Sequence, residues 1–156
     1  MIPSELVDFL QTGPSLQVGT RDAERMPECT QAVGHRVSPD RRVIRVLVPR
    51  ATGARTVANA RAFPRVALVA SHPLTHRSVQ LKGDAIAVAE APEDDRAAVD
   101  AYLGAHGPVL GFVGVPLSVV KRVAVWPAWA IDVAVTDLFE QTPGPGAGER
   151  LGGGPR

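Results

Sequence analysis

The sequence predicts a small, mainly β antiparallel barrel with two or three helices set into it. Three observations carry that reading. About seven stretches have the make-up of short strands, most of them with apolar and polar residues in turn, as half-buried strands do. Short turns rich in Gly, Pro, Asp and Ser separate them. The strand–helix–strand rhythm of a parallel sheet is missing. The chain has 156 residues, enough for one domain with a sizeable core.

The elements follow in order. Pro3 to Leu10 reads as an opening helix, with Leu6, Val7, Phe9 and Leu10 on its apolar face and Gly13-Pro14 as its stop. Leu16 to Thr20 alternates as a strand, and 21–25 is a polar hairpin turn. Glu28 to Val37 is the second strand of a meander, turned at Ser38-Pro39-Asp40 into a third, Arg42 to Val48. Thr52 to Phe63 is helical, with Thr52 as its N-cap and Pro64 as its end. Val66 to Ser71 is a near-continuous apolar run, expected as a strand buried on both sides. Ser78 to Val88 is a longer strand, with Val79 and Leu81 on one face and Ser78, Gln80 and Lys82 on the other. Gly83-Asp84 breaks its alternation and predicts a β-bulge. Pro92 to Leu103 is a helix opened by three acidic residues and closed by Gly104, followed by a Gly-rich loop, 107–116. Val119 to Trp126 and Ala130 to Thr136 are expected as the last strands. Residues 1–140 thus form one domain. The Pro/Gly-rich tail, 141–156, admits no regular ladder; it either exits freely or folds back through Gln141 and Thr142.

Composition narrows the function. Seventeen Lys and Arg against sixteen Asp and Glu leave a net charge of +1, and aromatic residues are 4%. Neither a polyanion-binding surface nor a base-stacking platform is expected, so no nucleic-acid partner is expected. The single cysteine, Cys29, excludes an internal disulfide and fits a reducing compartment. Its plain reading is a small buried hydrophobe. The start lacks a basic segment followed by an apolar one, and runs such as 66–70 are too short to span a bilayer. The expectation is a soluble, cytoplasmic protein without a membrane partner. No metal is expected: His72 and His76 are four apart, but Pro73 between them opposes a helix.

Two segments can carry chemistry. In Arg50-Ala51-Thr52-Gly53-Ala54-Arg55-Thr56 a strand ends and a helix begins. Free N–H groups at a helix start, two hydroxyls and two guanidinium groups make a candidate phosphate cradle of Arg50, Thr52, Arg55 and Thr56. The plain alternative is a capped helix with two solvated arginines. The second segment is the polar stripe Ser78, Gln80, Lys82. It either faces water or presents Gln80, both donor and acceptor, to a planar heterocycle.

The order of these parts resembles the pyridoxamine 5'-phosphate oxidase-like family of FMN-binding proteins. The segment from Arg55 to Leu68 looks like that family's basic helix start followed by an N-P-x-V-A-L strand entry. Arg77 to Ala85 is similar to its R-x-x-Q-[VL]-[KR]-G-x-A strand, and Arg45 to Arg50 to a strand that ends in a phosphate-binding basic residue. The resemblance implies an antiparallel split β-barrel with two to four peripheral helices. It implies FMN held by its phosphate at Arg50, Thr52, Arg55 and Thr56, with Gln80 near the ribityl or isoalloxazine part and Lys82 beside it. It implies a homodimer with the cofactor at the interface; 119–125 and 131–135, with Trp126 and Trp129, are the expected dimer surface. The deazaflavin F420 is the alternative cofactor. Departures are visible. Arg50 stands where many members have Lys, and Ala54 and Thr56 replace two residues of a Ser-Arg-Lys triplet. The end, 138–146, does not resemble the substrate-binding terminus of true pyridoxamine phosphate oxidases, so that reaction is not expected. The implied function is a flavin-dependent oxidoreductase of unknown substrate. The alternatives are a flavin-binding sensor or carrier without turnover, an F420-dependent reductase, and a split barrel without a cofactor that serves as a dimeric interaction protein.

Overall fold

The computed structural model describes residues 1–120 and 125–151. Its frame is one antiparallel seven-stranded sheet in the order β2-β1-β5-β6-β7-β4-β3, formed by β1 (Ser15–Arg21), β2 (Pro27–Gln31), β3 (Gly34–Val37), β4 (Val43–Pro49), β5 (Arg65–Ser71), β6 (Ser78–Glu90) and β7 (Ala128–Glu140). The helices are α1 (Ser4–Gln11), α2 (Ala54–Ala62), α3 (Arg96–Phe112) and the short α4 (Leu117–Val120). This is the mainly β split-barrel architecture that the turn-punctuated alternation predicts.

One expected strand is two. Glu28 to Val37 divides at Ala32-Val33, and its halves form opposite edges of the sheet. The Ala32 amide donates to Leu16 O at 2.8 Å and the Val33 amide to Leu47 O at 2.8 Å, so each half of the curled sheet takes one. Two residues therefore tie its edges together. Gly34 follows because α3 lies against it: a Cβ there would come within 3.2 Å of the Val99 backbone.

The inner face is aliphatic. Leu16, Val18, Ile44, Val46, Val48, Leu68, Leu81, Ile131 and Val133 are fully buried, each worth roughly 1.5–3 kcal/mol relative to exposure. α1 adds Leu6, Phe9 and Leu10 to the same core. β5 is buried on one side, not two. Val66, Leu68 and Ala70 point inward, while Ala67, Val69 and Ser71 are half-buried on the outer face. Its sequence is apolar on both faces, but only the inner one is filled from within the chain.

Three other expectations are corrected. α2 begins one residue later, with Gly53 as N-cap and no side-chain cap. Gly53 packs so tightly that a Cβ would lie 2.2 Å from Val48 Cγ1. α3 starts after a 3₁₀ turn, Glu93–Asp95, and continues through Gly104, Gly107 and Pro108 to Phe112. Val99, Tyr102, His106 and Val109 are buried along it, so packing outweighs the local breakers. The expected strand at 119–126 is absent in its described part. Val119 and Val120 belong to α4 and Trp126 is outside any strand, while 121–124 lie outside the described residues.

The bulge at Gly83 is present, as a register shift between Lys82 and Gly83 and another between Ala85 and Ala87. The tail folds back as far as Leu151. Gln141 N donates to Ser78 O at 2.8 Å, Ser78 N to Thr142 Oγ1 at 3.0 Å, and Leu151 N to Leu138 O at 2.8 Å. Thr142 also holds the Glu140 carboxyl below its ordinary range by hydrogen bonding. Among the described residues no helix is long and apolar enough to cross a membrane.

Candidate functional site

Residues paired across an antiparallel sheet share a face, so the register assembles the site. Lys82 on β6 pairs with Ala67 on β5, Ala67 with Gly19 on β1, and Gly19 with Cys29 on β2. The next row is Gln80, Val69, Gln17 and Gln31. β7 extends both rows, with Asp137 opposite Lys82 and Phe139 opposite Gln80. Gly19 and Ala67 keep the centre of this outer face low. The result is a trench of about 550 Å³, walled by Arg21, Glu28, Cys29, Arg65 and Lys82.

The cations of the trench differ in what they meet. Arg65 is committed to Asp137 at 3.0 Å and Asp84 at 3.5 Å. Asp137 also takes Arg150, and its carboxyl lies below the ordinary range, chiefly through the Thr136 hydroxyl and Arg65. Lys82 and Arg21 have no carboxylate partner among the described residues. Lys82 Nζ sits 4.7 Å from the Phe139 ring centroid, and the Arg21 guanidinium 4.6 Å from that of Phe63. Both aromatic contacts hold a cation without neutralising it. An anion at this face would meet those two charges.

The six sequence-derived site residues are not brought together. Gln80 and Lys82 lie on the outer face as expected. Arg55 reaches the β1–β2 hairpin and pairs with Asp22 at 3.2 Å and Glu28 at 3.6 Å. It therefore stands at the trench rim with its charge answered. Arg50 turns elsewhere, pairing with Glu90 at 3.1 Å and stacking over Trp129. Thr52 is exposed in the turn before α2. Thr56 faces inward, fully buried, and its hydroxyl has no partner. In this structure Arg50 points away along the sheet, and Thr56 belongs to the interior side of α2.

Sequence reasoning missed Arg21, Arg65, Gly19 and Ala67. The signal was the alternation of β1 and β5, which puts Gly19 and Arg21 on the face opposite Val18 and Thr20. Cys29, expected buried, is exposed beside Gly19. Ile131 and Val133, expected at a dimer surface, are fully buried in the core.

A second polar cluster is a clamp rather than a site. Asp95, 1% exposed, takes Arg45 at 3.1 Å and Arg36 at 3.4 Å, and Arg45 also binds Asp132 at 2.6 Å. The Asp132 bond is the main reason the Arg45 guanidinium is held still more firmly in its charged form. These pairs fasten the start of α3 to β3, β4 and β7.

No family model matches the chain, and no curated protein matches its sequence. Comparison with solved structures shows its fold: the chain has a split-barrel fold like that of pyridoxamine 5'-phosphate oxidase-like, FMN-binding proteins. HupZ of Group A Streptococcus is 18% identical, with a TM-score of 0.59 over 95% of this chain and 100% of that one. An F420 reductase is 15% identical, with a TM-score of 0.57 over 88% of this chain and 98% of that one. A pyridoxamine 5'-phosphate oxidase-related, FMN-binding protein of Nostoc punctiforme is 14% identical, with a TM-score of 0.53 over 94% of this chain and 87% of that one.

Proposed function

We propose that the outer-face trench binds FMN and that the protein is a flavin-dependent oxidoreductase acting as a homodimer. The observation that carries this reading is the row Cys29, Gly19, Ala67, Lys82. Its low centre admits a planar ring system, and two unanswered cations, Arg21 and Lys82, flank it. Lys82 and Arg21 would hold the cofactor's anionic part. Gln80, in the next row, would offer both a donor and an acceptor to the heterocycle's polar edge. A bound flavin would supply the electron transfer, leaving binding, orientation and exclusion of water to the protein. The half-buried Ala67 and Val69 support the dimer. They are apolar residues on an outward face, and a second copy is the commonest closed way to cover such a surface.

The shared fold with an F420 reductase favours F420 as the second reading. The absorption spectrum of the purified protein, and the cofactor released on denaturation, test both. FMN is the expected release, or FMN uptake by the protein as purified. Release or uptake of F420 alone would replace FMN with the second reading. No uptake of either at tens of micromolar would overturn the proposal.

A further inference from the structure

Tyr102 and His106, one helical turn apart on α3, line a pocket of about 300 Å³ that shares no lining residue with the trench. That volume lies at the small end for ligand sites. Val33, Leu103, Leu110, Val115 and Val125 make much of its wall. Most of its polar groups satisfy one another. Ser15 Oγ donates to Gln31 Oε1 at 3.2 Å, Gln31 Nε2 to the Tyr102 hydroxyl at 3.2 Å, and that hydroxyl to Pro14 O at 3.0 Å. Burial pushes the Tyr102 hydroxyl up to about 12, so it remains the donor in that last bond.

His106 is the exception. Only 7% exposed, it stacks on Tyr102 with ring centroids 5.1 Å apart. Its Nδ1 lies 2.8 Å from Gly13 O. A carbonyl oxygen only accepts, so the proton sits on Nδ1 and the neutral ring keeps its lone pair on Nε2. Nε2 has no hydrogen-bond partner among the described residues. It is also not one of the sealed, unpartnered atoms, which belong to His35 and Thr56. Among the described residues it is therefore an unpartnered acceptor on a ring that lines an apolar pocket.

We infer that this pocket binds a small aromatic molecule, mostly apolar, that carries one hydrogen-bond donor, of the size of a phenol or an indole, with His106 Nε2 as the acceptor. A carboxylate or phosphate would meet no cation among the described lining residues. A plain hydrocarbon would leave the acceptor unmatched.

Titration with p-cresol and with toluene at mildly alkaline pH, followed by amide NMR of residues such as Val33 and Leu110, tests this. The protein is expected to bind p-cresol about tenfold more tightly than toluene, the ratio one hydrogen bond provides. In His106→Phe, which keeps the ring stack, the two should bind equally. Leu110→Trp, which fills the pocket, should abolish both. Equal binding to the unmodified protein, no binding of either probe, a preference that survives in His106→Phe, or p-cresol binding that survives in Leu110→Trp would each overturn the inference.

Discussion

Gly83→Ala is expected to destabilise the protein by about 3 kcal/mol, the upper end for overpacking. A Cβ at Gly83 would lie 2.1 Å from the carbonyl oxygen of Ala134 and 2.8 Å from its carbon. Those atoms are the backbone of β7 and cannot swing aside as a flexible side chain can. Relief requires undoing the bulge that separates the two registers of β6 on β7. Lys82 sits at that register shift, so the variant should also lose its orientation over Phe139. Urea denaturation measures the loss; a value below about 1 kcal/mol would mean that the bulge can relax around a methyl group.

Acidification from pH 7 to pH 5 is expected to remove about 2 kcal/mol of stability through His35 alone. Its two ring nitrogens are buried without partners, and that burial lowers its pKa from 6.5 to about 4. The unfolded chain takes up the proton below about 6.5, and the folded protein does so only near 4. Stability is therefore full above the unfolded value and falls as the pH drops through the window between them. Carboxylates also lose stability in acid, so the relevant quantity is the difference from His35→Phe, which should retain the edge contact with Tyr102. The variant should lose about 2 kcal/mol less than the unmodified protein over that interval. An identical loss in both would mean that His35 is not neutral in the folded state.

The sequence made much of this fold legible because period-two alternation and turn chemistry are local. Strand positions near Leu16, Val43 and Val79, the bulge at Gly83 and the stop at Gly13-Pro14 all follow from neighbours in the chain. What escaped is non-local. Nothing near Ala32-Val33 announces that β2 and β3 part to opposite edges, because that break is fixed by Leu16 and Leu47 across the sheet. α3 runs past Gly104 and Pro108 because His106 and Val109, which follow them, are buried. The site divided in the same way. The outer-face placement of Gln80 and Lys82 was legible from the alternation of one strand. The trench needed the register of four strands, which alone sets Gly19, Ala67 and Cys29 in line with Lys82. Arg50 and Arg55 looked equivalent in sequence. Glu90 and Trp129 draw one away, while Asp22 and Glu28 hold the other at the rim.

The trench assignment and the helix-start cradle predict opposite outcomes for Arg50→Ala, and Lys82→Ala reports on the trench itself. FMN titration of Lys82→Ala and Arg50→Ala, followed by flavin fluorescence, separates them. Lys82→Ala should weaken binding roughly ten- to a hundredfold, the worth of one charge-assisted hydrogen bond. Arg50→Ala should leave affinity within about twofold, because its guanidinium serves only an exposed pair with Glu90 and the Trp129 face. Full affinity in Lys82→Ala together with a large loss in Arg50→Ala would contradict the account and return the phosphate to the start of α2.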